Sequence, residues 1–183
     1  MRRSVFLSFT LIMLAVQFIG GCAVYDVAVE ERNVGTYTSD RKISFLIEEQ
    51  FLKDDTIKFL DFDAYSYEGN VYLVGEYDSH AQVDKAVSIA KGVKGVKTVT
   101  TYFLPKREDD LCGTMDTMDI AAKLKNKLVG DKDIWSTNID VEIVQCKIIM
   151  LGLVGTEKER DEAIAHAKSV PGTRGVKSFI RVR

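Results

Sequence analysis

The side chains that could carry chemistry are few in this chain, and they are scattered. His80 and His166 are its two histidines. No Gly-x-Ser-x-Gly element and no zinc-type spacing accompanies either of them. A catalytic imidazole needs an orienting partner, so both read as solvated or helix-end residues. Asp54-Asp55, Asp109-Asp110 and the pair Asp61 and Asp63 supply carboxylates, but none follows the spaced ligand loop that a hard cation requires. Asp61 and Asp63 share one face of an expected strand, and hydrophobic alternation makes that the outward, solvated face. Gly92-Val93-Lys94-Gly95 closes a helix instead of opening one, so it is no phosphate loop. An enzyme is not expected, and neither a metal nor a cofactor is implied.

Cysteine offers more. Arg2 and Arg3 start the chain, Val5 to Ile19 is an apolar run broken only by Ser8, Thr10 and Gln17, and Gly20-Gly21 precede Cys22. A basic start, a core of this length and a small-residue end make a secretory signal, too short for a comfortable membrane span. Ile19-Gly20-Gly21-Cys22 resembles the bacterial lipobox, with Ile in the first position where Leu is commoner. That resemblance implies acylation of the Cys22 thiol and cleavage before it. Each buried methylene of such a chain contributes about 0.8 kcal/mol, and several chains hold firmly where one is marginal. Ala23, not Asp, follows the cysteine, which among lipoproteins favours the outer membrane. Cys112 and Cys146 are the remaining cysteines. An oxidising compartment permits a disulfide between them, and sequence leaves the pairing open.

The elements that must position these residues come twice. The chain has 183 residues, 46% hydrophobic, with a net charge of −2, which describes a folded protein without a nucleic-acid footprint. A shift of 77 positions aligns Ile43 with Ile120, Asp54 with Asp131, Gly75 with Gly152, Ala86 with Ala163, Ala90 with Ala167 and Gly95 with Gly172. After Gly172 the second copy reads as carrying about three extra residues, so that Val96 corresponds to Val176.

Each copy predicts helix, strand, strand, helix, strand. In the first, Ile43, Leu46, Ile47 and Phe51 keep helical spacing, with Ser39 or Asp40 suited to cap the start. Phe62 to Tyr67 and Val71 to Glu76 flank Glu68-Gly69-Asn70, a hairpin signal. Val83, Ala86, Val87 and Ala90 form a second helical stripe capped by Asp78 or Ser79, and Val96 to Leu104 is the last strand. The second copy predicts a helix on Ile120, Leu124 and Leu128, strands at Ile139 to Val144 and Ile148 to Leu153, a helix on Ala163, Ile164 and Ala167, and a strand from Val176 to Arg183. Cys146 replaces the turn glycine, which puts an identical turn in doubt. The expected class is α+β: two tandem αββαβ modules, each a three-stranded mixed sheet with one buried face and two helices packed on it. The divisions are a signal at 1–21, a lipidated tether at 22–36, a first module at 37–105, a linker at 106–113 and a second module at 114–183. A module near 70 residues has a marginal core, so packing of one against the other is plausible.

The lipobox, the paired αββαβ pattern, the glycine ending each second strand and the Ala-rich helix running into Val93-x-Gly95 together resemble the BON family, and more narrowly its dual-BON outer-membrane lipoproteins. The likeness extends over nearly all of 37–183, and Arg32 to Thr36 and Met150 to Val154 are similar too. It implies a non-enzymatic protein at the outer membrane whose second-module first helix, here Thr117 to Val129, contacts anionic phospholipid. Asp119 stands where those lipoproteins carry tryptophan. A carboxylate at a lipid surface is repelled and costly to desolvate.

The candidate lipid-contacting residues are Met118, Lys123, Lys127 and Trp135. Lys123 and Lys127 are four apart on one helix face, near Lys125 and Lys132, and Met115, Met118 and Trp135 offer apolar or interfacial contact. Residues 114–183 carry 12 basic and 10 acidic groups, whereas 37–105 carry 8 and 11, so the second module suits an anionic surface better. The bland alternative is a solvated helix face beside a partly buried tryptophan. Two functions stay open: an acylated lipoprotein on the periplasmic face of the outer membrane that binds anionic phospholipid and envelope proteins, and a periplasmic osmotic-stress protein with a scaffolding or chaperone-like role. An accessory part of a secretion pore is a third, with no local support.

Overall fold

A computed structural model describes residues 30–58 and 61–183. Cys22, the signal and the first part of the tether lie outside the described residues. The first module consists of α1 (Val34–Lys53), β1 (Phe62–Tyr67), β2 (Asn70–Tyr77), α2 (His80–Gly92) and β3 (Thr98–Pro105). The second consists of α3 (Thr114–Gly130), a 3-10 turn (Ser136–Asn138), β4 (Ile139–Val144), β5 (Lys147–Val154), α4 (Glu157–Lys168) and β6 (Gly175–Val182). Each sheet is mixed, with its second strand central: β1-β2-β3 and β4-β5-β6, the first pair antiparallel and the second parallel.

Local chemistry explains most boundaries. Ser79 caps α2 in a reciprocal box with Gln82, and Thr156 caps α4 by accepting the Glu159 N–H. The first helix departs from expectation. It begins at Val34, capped by Asn33, whose side chain accepts the Thr36 N–H. Asp40 is therefore no cap; it is buried inside the helix, where its carboxylate accepts from Arg32, the Ser66 hydroxyl and the Glu68 and Gly69 N–H groups. Both hairpins turn on two residues with positive φ, Glu68-Gly69 and Gln145-Cys146. The replacement of glycine by Cys146 thus does not change the turn. The repeated strand glycines answer a close approach: a Cβ at Gly75 would stand 2.0 Å from the Asp61 carbonyl oxygen, and one at Gly152 2.3 Å from that of Asn138.

The register also removes the expected insertion. Asn70 pairs with Thr98 and Lys147 with Gly175, and the Lys97 and Arg174 N–H groups donate to the Gly69 and Cys146 carbonyls. Every one of these correspondences keeps the shift of 77, so Val176 matches Val99 and not Val96.

Each module has its own core between sheet and helices: Ile43, Ile47, Phe51, Leu73, Ala86 and Ala90 in the first, Ile120, Leu124, Leu128, Met150, Ala163 and Ala167 in the second. The expectation of a single buried sheet face fails on the central strands, because Val71 to Val74 and Ile148 to Val154 are buried on both. The reason is a third core. Tyr67, Tyr72, Val74, Val144, Ile149, Leu151 and Leu153 close one sheet against the other.

That contact is self-complementary. Tyr65 and Glu142 are equivalent under the 77 shift, and they bond to each other. Tyr102 and Phe179 are equivalent too, and their rings meet edge-on at 6.4 Å. Two equivalent pairs that touch across the interface mark a pseudo-twofold axis running between them, so the duplicated modules pack as an isologous dimer within one chain.

Candidate functional site

Helix α3 buries Ile120, Leu124 and Leu128 and turns its other face outward. Along that face run Met115, Met118, Ala122, Lys125 and Val129, spaced alternately three and four apart, with Met115 77% and Val129 73% exposed. Leu111, 88% exposed, precedes the helix in the linker. Large apolar side chains exposed together at regular helical spacing are the pattern by which contact surfaces are recognised.

The candidate residues fall on different parts of this helix. Met118 belongs to the stripe. Lys123 lies roughly 140° and Lys127 roughly 180° around the axis from it. Lys123 is also committed to an ion pair with Asp119 one turn earlier. Lys125 is the lysine that accompanies the apolar stripe. Sequence reading missed its place because it paired the lysines with each other and did not phase them against Met115 and Val129. Trp135 lies beyond the end of α3, whose last 12 residues after Met118 rise about 18 Å, so the two do not share a patch. The tryptophan is 48% exposed, and the Glu159 carboxylate accepts its backbone N–H and that of Gly155. Glu31, at the tether end, sits against the same Gly155. At Glu31 the chain therefore passes beside Gly155, which shares the Glu159 carboxylate with Trp135.

The seam between modules is polar at its rim. Tyr65 donates to Glu142 and Tyr67 to Asp140. Burial pushes the Asp63 and Glu142 carboxyls up, neighbouring acids add to both shifts, and the Tyr65 bond partly offsets that of Glu142. Burial beside these acids also pushes the Tyr65 phenol far above its usual value. Asp61 and Asp63 are thus not the solvated pair expected from alternation. Asp61 is buried and accepts from Gln82 and Lys106, and Asp63 faces the covered side of the sheet.

Cys112 and Cys146 form a disulfide, which ties the linker to the β4-β5 turn. The histidines lie apart: His80 stacks against Tyr77, and His166 bonds Asp131. The Asp131, Asp133 and Glu162 carboxylates gather within 4.8 Å, but Lys158 pairs with Asp133 and Glu162 and the His166 ring bonds Asp131.

The Osmotically-inducible protein Y of Escherichia coli (strain K12) is 28% identical over 152 residues, 82% of this chain and 76% of that protein. The Outer membrane lipoprotein DolP of Haemophilus influenzae is 27% identical over 158 residues, 86% of this chain and 81% of its own length. The C-terminal domain of CdsD, the structural protein of the type III secretion system of Chlamydia trachomatis, aligns at a TM-score of 0.32 and 14% identity over 79% of this chain and 67% of that one. The BON domain model matches residues 39–103 and 116–183, one match per module. With both halves of the duplication matched, the chain belongs to the BON domain family.

Proposed function

We propose that this protein is an acylated envelope lipoprotein, held through Cys22 on the periplasmic face of the outer membrane, whose second module contacts anionic phospholipid. The reading makes it a binding protein that supports envelope integrity, not an enzyme. The observation that carries it is the outward stripe of Met115, Met118 and Val129 with Lys125 among them, on the helix that the family resemblance assigns to lipid. Geometry adds support. Cys22 lies nine residues before Glu31, and an extended chain spans at most about 30 Å over that length. An acylated Cys22 would therefore keep the Trp135 end of the second module close to the bilayer, where an exposed tryptophan suits the headgroup region. Each lysine close to an anionic surface adds roughly 1 kcal/mol, screened by salt.

The Asp119–Lys123 ion pair favours the alternative, a scaffolding or chaperone-like protein without lipid recognition, because it neutralises one of the helix's lysines. Vesicle flotation separates the two. The chain from Ala23, made without acyl groups, is expected to float with phosphatidylglycerol vesicles and not with neutral ones. Met115→Ser with Met118→Ser is expected to abolish flotation. Equal behaviour on both vesicles would remove the lipid role. Loss of radiolabelled palmitate in Cys22→Ser tests the anchor separately.

A further inference from the structure

The two modules treat their outer sheet edges differently. In a hairpin closed by a two-residue turn, the flanking residues exchange hydrogen bonds, so alternate residues beyond them point N–H and C=O away from the partner strand. On β1 the outward residues include Ala64 and Ser66. Side chains of the chain itself cover both: the Glu48 carboxylate accepts the Ala64 N–H, and the Arg32 guanidinium donates to the Ser66 carbonyl. This is how an edge strand is kept from recruiting another chain.

On β4 the outward residues are Val141 and Ile143, the equivalents of Ala64 and Ser66. The guards are gone. Lys125 occupies the position of Glu48 and cannot accept from an N–H; Asp109 occupies that of Arg32 and pairs with Arg107 instead. Among the described residues, the outward N–H and C=O of Val141 and Ile143 meet no side-chain partner. A cleft of about 330 Å³ opens between α3 and this edge, lined by Lys125, Leu128, Val129 and Val141 and, from the other face of β4, by Asp140 and Glu142, whose carboxylates accept from Tyr67 and Tyr65. Residues of β4 are also less buried than their β1 equivalents, Ala64 and Ser66 being buried where Val141 and Ile143 are half-exposed.

We propose that the open β4 edge is a docking site for an extended polypeptide segment bearing an acidic side chain, added as a fourth strand of the second sheet. The first module shows the chemistry such an edge accepts: a carboxylate on the outward N–H. In the second, that N–H and the Lys125 ammonium both present donors to the same cleft. Backbone bonds to Val141 and Ile143 supply affinity, and the acid facing Lys125 supplies selection. A second copy of this chain is a poorer occupant. Isologous pairing of two β4 edges brings two Lys125 side chains toward each other, and like charges facing across strands repel.

The test uses the mature protein and a capped synthetic peptide of about eight residues alternating Glu with Val. The expected result is slowed amide hydrogen exchange at Val141 and Ile143, with the same peptide carrying Lys for Glu inactive. Lys125→Glu restores the guard seen in the first module and is expected to weaken binding on the order of tenfold. Val141→Pro, which deletes the outward N–H and is tolerated on an edge, is expected to do the same. Unchanged exchange on addition of the acidic peptide would overturn the proposal, as would equal protection by the Lys peptide. Concentration-dependent dimerisation that Lys125→Glu abolishes would give the edge to a second copy and overturn it as well.

Discussion

Asp40 illustrates what one carboxylate does once the chain folds around it. From sequence it resembles a helix cap, because it directly precedes the apolar periodicity that starts at Ile43. The true cap, Asn33, lies ahead of a first stretch of helix whose residues face solvent or polar partners, and periodicity cannot reveal such a stretch. Buried Asp40 instead holds Arg32, the β1-β2 turn and Ser66 together, and Arg32 stacks on Tyr37 and Tyr67. Asp40→Ala removes the carboxylate that pairs with the buried Arg32 guanidinium and that accepts the two turn N–H groups. Breaking one side of a buried pair costs about 3–5 kcal/mol, so a loss near 3 kcal/mol is expected in urea unfolding monitored by circular dichroism. A loss under about 1 kcal/mol, the range of exposed pairs, would show that water replaces the carboxylate. The same blindness affected the candidate lipid face. Met118 was legible as an exposed apolar residue, but the phase that sets Lys125 beside it and turns Lys123 and Lys127 away depends on which side of α3 is buried. Charge counting does not contain that information.

At the scale of elements the sequence was far more informative, because periodicity, turn glycines and duplication all act locally. Phe62 to Tyr67 and Ile139 to Val144 were read to the residue, and α2 ends at Gly92 as its glycines required. What failed were statements that depend on neighbours distant in sequence. Val96 was matched with Val176 because hydrophobic residues align there, whereas strand pairing fixes Val99 opposite Val71. Cys112 and Cys146 could be called neither paired nor free until the linker was seen to pass the β4-β5 turn. Their bond spans a sequence separation of 34 residues, and closing a loop of that size restricts the unfolded chain by about 3–4 kcal/mol in the chain-entropy account. Reduction is therefore expected to lower the stability of the chain by roughly that amount. Urea midpoints with and without dithiothreitol measure it. Because Cys146 also sits at positive φ, where glycine is at ease, Cys112→Ala with Cys146→Gly should recover part of the loss relative to Cys112→Ala with Cys146→Ala. Equal stability of the two double variants would mean that the turn stores no such cost.

At the scale of the whole molecule, one chain contains its own symmetric dimer, and the third core exists only because two sheets meet. Sequence could suggest that contact from the small size of each module, but not that Tyr65 and Glu142, 77 residues apart, would lie on its axis. The arrangement has a consequence for pH. Asp63, Glu142 and Glu48 all have folded-state carboxyl pKa values raised, chiefly by burial, above those of the unfolded chain. Between the ordinary carboxyl range near pH 4 and the raised values, the folded protein binds more protons than the unfolded one. Stability therefore falls as pH rises through that window, and acidification toward it is stabilising. Asp54, Asp78, Asp109, Asp110 and Asp131 shift the other way, lowered first by bonds to Lys85, Lys58, Arg107, Arg174 and His166. Their contribution is lost only as pH drops below the ordinary range, and they lie at the surface, where such pairs contribute little. The two sets place the stability maximum on the acidic side of neutrality, with a higher thermal midpoint at pH 5 than at pH 8. Glu142→Gln keeps an acceptor for the Tyr65 hydroxyl while removing one buried charge, so it is expected to raise the midpoint at pH 8 and to narrow the difference between the two pH values. A midpoint that rises from pH 5 to pH 8 in the parent would show that the seam carboxylates ionise without penalty, and that water reaches the axis between the modules.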